Sequence, residues 1–87
     1  MPAQPLRVSH FEGSAPTAGE KINPRKLIQR VIVRNVDGAN TLGISFNGGR
    51  SYFSIPPGES LEEDILAHFL YIRGEGGAAS YEMMLLG

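Results

Sequence analysis

Two imidazoles, His10 and His68, are all the histidine in this chain, and it has no cysteine. An enzyme site needs a nucleophile, a base or a metal held by converging side chains. Neither histidine sits in a paired-histidine helix motif or a nucleophile elbow: His10 lies in a proline-rich stretch and His68 at a junction between apolar runs. The acidic run Glu59, Glu62, Glu63, Asp64 offers carboxylates, and hard cations such as calcium take about six to eight oxygen ligands. That run lacks the alternating spacing and the glycine of a calcium loop. It reads instead as a solvated strand edge, where charge discourages stray sheet pairing. Gly48-Gly49 and Gly74-Glu75-Gly76-Gly77 are followed by neither a helix start nor a lysine, so they read as turns and not as phosphate loops. No catalytic residue, cofactor or metal site is expected, and the chain is not expected to be an enzyme.

The elements that must position any site are few. A domain of 87 residues buries only about 60 to 65% of its unfolded surface, so its core is thin. Without cysteine it has no disulfide or thiolate metal site, which leaves association with partner subunits as the leading source of extra stability. No stretch approaches the roughly 20 apolar residues that span a bilayer. The start, Met1-Pro2-Ala3-Gln4-Pro5, lacks the charged and then apolar regions of a signal peptide, so a soluble protein made in the cytoplasm is expected. The net charge of −1 gives no global attraction to nucleic acid or to an anionic membrane, and neither is expected as a partner. Its distribution is uneven. Residues 1–34 carry six basic side chains against two acids, and residues 35–87 carry two against seven. Such an asymmetry steers the basic front of one copy towards the acidic body of another.

Residues 1–24 hold four of the six prolines and show neither helical nor strand periodicity. They are expected to form an extended arm, with Leu6, Val8, Phe11 and Ile22 as apolar anchors that dock on a neighbouring chain or on the chain's own body. Residues 25–87 are expected to form the folded domain. From Leu27 onward, strand-like runs are cut by turn residues every 8 to 12 positions or so, the spacing of a small sandwich or barrel. Leu27–Val36 reads as a strand with Leu27, Val31 and Val33 on one face and Ile28, Arg30, Ile32 and Arg34 on the other. Thr41–Asn47 alternates strictly, Asn47-Gly48-Gly49 supplies a tight hairpin, and Arg50–Ile55 returns until Pro56-Pro57-Gly58 stops it. Leu61–Leu66 reads as a strand from its alternation, although Ser60-Leu61-Glu62-Glu63 also has capping-box spacing for a helix. Phe69–Ile72 and Ala79–Leu86 complete six strands. The expected fold is an all-β, six-stranded antiparallel β-sandwich or jelly-roll-like barrel preceded by an extended N-terminal arm.

Arg30, Ile32 and Arg34 share a strand face with an apolar centre and guanidinium flanks, a pattern favoured at interfaces because the arginine fork pairs carboxylates while its stem covers apolar surface. With the arm's Leu6, Arg7, Phe11, Ile22, Arg25 and Lys26 they make up the expected partner-binding set. The aromatics Tyr52, Phe53, Phe69 and Tyr71 lie in an acidic part of the chain, which argues against nucleic acid. Tyr52, Tyr71 and Tyr81 suit a carbohydrate platform, a rival reading weakened by the lack of tryptophan.

Val33-Arg34-Asn35, Ile44-Ser45-Phe46 with Gly48-Gly49, Phe53-Ser54-Ile55-Pro56-Pro57-Gly58-Glu59-Ser60, Leu70-Tyr71-Ile72-Arg73-Gly74 and Ala79-Ser80-Tyr81-Glu82 together resemble small β-sandwich structural proteins of tailed bacteriophages. The resemblance covers residues 28–87 and consists mostly of turn placement and alternation. It implies a capsid decoration or cement protein on the virion surface, or a head-spike base, neck or tail component. The implied partners are the major capsid protein or another virion protein and further copies of the chain, with a homotrimer favoured. No catalytic or binding residue carries over from it.

Overall fold

Alternation of apolar and polar residues gives a strand one face to bury, and two sheets hide those faces by stacking them. The computed structural model describes residues 7–87 and places eight strands in that way. They are β1 (Val8–Ala15), β2 (Glu20–Ile22), β3 (Ile28–Asn35), β4 (Thr41–Ser45), β5 (Phe53–Ile55), β6 (Ser60–Ala67), β7 (Leu70–Glu75) and β8 (Ala79–Leu86). Sheet one runs β1-β8-β3-β6 and sheet two β2-β7-β4-β5, with every pairing antiparallel. The chain changes sheet at every connection except the β4–β5 hairpin, a jelly-roll arrangement of eight antiparallel strands in two layers. The all-β class is as expected. The count is eight strands and not six, because β1 and β2 come from residues expected to form an arm.

Pairing partners draw those residues into the sandwich. β1 pairs with β8 over eight residues, from Val8 opposite Leu86 to Ala15 opposite Ala79, and β2 pairs with β7. Ser9, Phe11, Gly13 and Ala15 face inward, a row too mixed in character to read as a buried face. The ring of Tyr81, the partner of Gly13 on β8, lies over this glycine at van der Waals distance. Pro16 and Pro24 fall outside the strands, where a missing donor costs no ladder bond. The carbonyl of Pro16 accepts hydrogen bonds from the amides of Gly19 (3.1 Å) and Gly74 (3.0 Å), which tie the β1–β2 turn to β7. Gly74 itself tolerates no side chain: a Cβ there would run into the Gly77 carbonyl oxygen and lie 2.9 Å from that of Ala15.

The core between the sheets is built from Ile28, Val31, Val33, Tyr81, Met83 and Leu85 of sheet one and Ile22, Leu42, Ile44, Ile55, Leu70 and Ile72 of sheet two, with Ala15 and Ala79 at one end. Ile28 and Val31 both point inward despite their odd spacing. A register shift between Ile28 and Arg30 inserts Gln29 as an extra residue, so Ile28 joins the core face and Leu27, expected there, is left exposed. Leu61 and Ile65 pack half-buried against the core from β6, which is a strand throughout.

One buried polar side chain holds the end of the sandwich. Asn35 is fully buried at the end of β3, and its Nδ2 donates to the carbonyls of Asn40 (2.9 Å) and Ile55 (2.8 Å), while its Oδ1 accepts the Asp37 amide (2.9 Å). Its backbone bonds Glu59 and Gly58 at the β5–β6 turn. Asp37 continues the network by accepting from the amides of Asn40, Ala39 and Ser80, and these bonds, that of Asn40 foremost, hold its carboxyl below the usual value. Removing the Asn35 amide orphans two carbonyls and one amide, each costing about 1–3 kcal/mol when buried. Asn35→Ala is therefore expected to lower the free energy of unfolding by about 2–4 kcal/mol in urea titration. A loss under about 1 kcal/mol would show that the corner does not carry this load.

Candidate assembly surfaces

The register of sheet one sorts its outward residues into three rungs. Val8, Leu86, Arg30 and Asp64 lie side by side across β1, β8, β3 and β6; His10, Met84, Ile32 and Glu62 form the next rung; Glu12, Glu82, Arg34 and Ser60 the third. The middle of this face is apolar, with Met84 39% exposed beside the half-buried Ile32. It forms a shallow bowl of about 500 Å3 whose walls include His10, Arg34, Ser60 and Glu82. Arg30 bonds the Glu62 carboxylate, and its Nη1 lies 3.6 Å from Asp64 Oδ1. All three residues of the expected Arg30, Ile32, Arg34 face are thus brought together on an outer surface, but Arg30 is engaged within the chain.

The outward face of sheet two is covered by its own side chains. The Arg73 guanidinium lies 3.9 Å from the centre of the Tyr52 ring. Gly43 leaves room for this stack, since a Cβ there would be 3.3 Å from Tyr52 Cδ1 and 2.7 Å from Glu75 Oε1. Lys21 Nζ sits 4.3 Å over the Phe69 ring, which meets Tyr71 edge to face with centroids 5.9 Å apart. Tyr81 is only 5% exposed and belongs to the core. The three tyrosines of the carbohydrate reading are thus separated: one is buried, one is stacked on Arg73 and one packs against Phe69.

The third surface is a flank. Each sheet has two edges, and β5 and β6 lie on the same side of the sandwich. Between them the layers part in an apolar slit of about 260 Å3 lined by Phe46, Phe53, Leu61, Glu63 and Ile65. Phe53 is 60% exposed, and Leu66, at the far end of β6, is 78% exposed. Glu62, Glu63 and Asp64 put three carboxylates on β6. The opposite flank, formed by β1 and β2, is basic at its start, where Lys26 Nζ donates to the Arg7 carbonyl (2.6 Å) beside the exposed Arg25.

The expected partner set therefore divides. Arg7, Arg25, Lys26 and Arg34 lie at or near the surface, and Ile32 is half-buried on the outer face. Ile22 is a core residue, 5% exposed, and Phe11 points inward from β1 and packs on the core, so strand alternation turns both away from any partner. Leu6 lies outside the described residues. Missing from the sequence reading were the slit residues Phe46, Phe53, Leu61 and Ile65, and also Met84, Glu82 and His10 on the outer face. Their clustering depends on cross-strand register, which no local pattern announces. Among the described residues no group of three or more His, Asp or Glu is placed to hold a metal ion.

No protein-family model and no curated protein sequence matches the chain. Its fold is similar to that of a solved structure of Bacillus endospore appendages, which form disulfide-linked pili. The TM-score is 0.65 over 93% of this chain and 83% of that one, at 17% sequence identity. At that identity the likeness is one of fold.

Burial, and after it the nearby Glu20 carboxylate, raises the Tyr81 phenol above its ordinary value of 10.0. Tyr81→Phe is expected to remove a tyrosinate that forms above the ordinary phenol range in an alkaline absorbance titration. An unchanged high-pH limb in the variant would place Tyr81 in solvent and reopen the platform reading.

Proposed function

We propose that this chain is a non-enzymatic structural subunit that joins to further copies of itself, flank to flank, in an assembly on the outside of a cell or particle. The observation that carries the reading is the open β5/β6 flank. There an apolar slit with Phe53 at its mouth lies between two unpaired strand edges. The short β5 and the carboxylates of β6 blunt these edges against simple strand pairing, which leaves the apolar slit as the feature that docks a partner. The carboxylates of β6 repel a second β6 but suit the basic start of the β1/β2 flank. Because the two flanks differ, such contacts run head to tail and generate rings or filaments. The pili of the structural neighbour are disulfide-linked, whereas these 87 residues have no cysteine. Non-covalent contacts hold copies of this chain together.

The narrower form of the proposal makes the assembly a virion, with the chain as a capsid decoration or cement subunit. It is supported by the phage-like turn segments around Gly48-Gly49 and Pro56-Pro57-Gly58, which flank β5 in the fold and frame the open side. A neck, tail or spike-base position uses the same surfaces, and copy number per particle separates these sites: hundreds for a capsid lattice, dozens or fewer for a vertex or tail.

Phe53→Asp places a carboxylate in the slit beside Glu63. The wild-type chain is expected to form large species by light scattering and negative-stain microscopy, and the variant only a small discrete species, with contacts weakened at least about tenfold. Salt should weaken the wild-type contacts as it screens them. Wild-type protein that stays small at every concentration, or a variant that assembles equally well, would contradict the proposal.

A further inference from the structure

We propose that the outer face of sheet one is a second interface, at which two copies of this chain pack face to face about a two-fold axis running along the strands between β8 and β3. An isologous contact sets a surface against its own rotated copy, so the arrangement of charges on the three rungs selects which rotation is allowed. Rotation about an axis along the strands reverses strand order but keeps each rung level. β8 then faces β3 of the second copy, and β1 faces β6. In the middle rung Met84 meets Ile32, joining the two apolar patches, and His10 meets Glu62. In the third rung Glu82 meets Arg34, and by symmetry Arg34 meets Glu82. These facing pairs are complementary. The remaining ones set Glu12 against Ser60, Val8 against Asp64 and Leu86 against Arg30, and Asp64 and Arg30 are already engaged within the chain.

The other in-plane axis, across the strands, gives the opposite result. It turns the sheet end for end, sets Arg30 against Arg34 and lays Glu62 upon Glu62. Like charges facing one another across a contact act against that geometry. The charge pattern of the sheet thus favours one two-fold arrangement over its alternative, while both keep the strand axes of the two copies roughly aligned, as stacked sheets pack. Four strands about 4.8 Å apart and eight residues long present about 500 Å2 per copy, or about 1,000 Å2 in all. That is the low end for a specific interface, so the contact is of modest strength and adds to the flank contact without replacing it. A two-fold face favours even-numbered species over the expected trimer.

Two single variants, R34E and E82R, test the arrangement. Both are made in a chain that also carries Phe53→Asp, so that failure of the flank proposal and failure of this one are read separately. Sedimentation velocity from micromolar to millimolar concentration gives the mass of each, and circular dichroism confirms that each is folded. The parent F53D chain is expected to dimerise. R34E alone sets an introduced carboxylate against Glu82 twice, and E82R alone sets an introduced guanidinium against Arg34 twice, so each is expected to be monomeric. An equal mixture of the two restores opposite charges in trans, and a heterodimer is expected at near-parental affinity. The trans restoration excludes an effect confined to the Arg34–Glu82 neighbours within one sheet. A monomeric parent, single variants that dimerise as the parent does, or a mixture that stays monomeric would each overturn the proposal.

Discussion

An eight-residue ladder between β1 and β8 determines which sides of this sandwich are closed. β8 carries Tyr81, Met83 and Leu85 into the core and is paired on both sides, to β1 and to β3. With β1 in place, Phe11 covers the core, and the turn at Pro16 bonds β7 of the other sheet. The β1/β2 flank is thereby joined across the two layers by short-range contacts. At the β5/β6 flank the tie across the layers is confined to one end, where Asn35 Nδ2 of β3 bonds the Ile55 carbonyl of β5 and the β5–β6 turn crosses over. Beyond it Phe53 stays 60% exposed at the slit. The flanks match in strand length and differ in side chains: Phe11 packs on the core at one, and Phe53 is left exposed at the other.

Stability and association then draw on the same limited apolar material. The core takes nearly all the aliphatic side chains of the central strands, and the Asn35 corner ties both sheets at one end with every polar atom satisfied. Of the large apolar side chains left exposed, Phe53 lies at the slit and Met84, beside Ile32, on the outer face of sheet one, while Val8, Leu27, Val36, Leu66 and Phe69 lie outside both patches. Around both patches the charges are placed asymmetrically, acids on β6 and bases on β3 and at the start of β1. Sheet two offers no such patch, since Arg73 and Lys21 already cover Tyr52 and Phe69. The molecule therefore has one outer face that is self-contained, and one face and one flank that are not.

Much of this is legible from local pattern. The six runs from β3 to β8 alternate clearly enough to be read as strands, and Leu61 to Leu66 is a strand despite its helix-like start because the segment pairs with β3, Leu61 opposite Val33 and Asp64 opposite Arg30. The N-terminal strands are not legible, because β1 places Ser9 and Gly13 on its inner row and relies on Tyr81 from β8 to fill the gap. The phase of β3 departs from its sequence reading at its start, since a bulge at Gln29 changes which residues face inward without altering composition. Arg30, Ile32 and Arg34 do form one surface, as their alternation predicts. Their partners across the sheet, Met84, Glu82 and His10, are separated from them by some 20 to 50 positions or so in sequence and are joined to them only by register.

Both proposed contacts depend on β1 being a strand of its own sandwich and not an arm reaching elsewhere. Native-state hydrogen exchange, followed amide by amide at a concentration where the chain is monomeric, tests this directly. An edge strand in an antiparallel sheet bonds alternate amides to its neighbour, so alternate amides of Val8–Ala15 should exchange about as slowly as those of β8. Exchange of all of them at the rate of an unstructured peptide would detach β1, open the flank it closes and remove the basis for treating the two flanks as unequal.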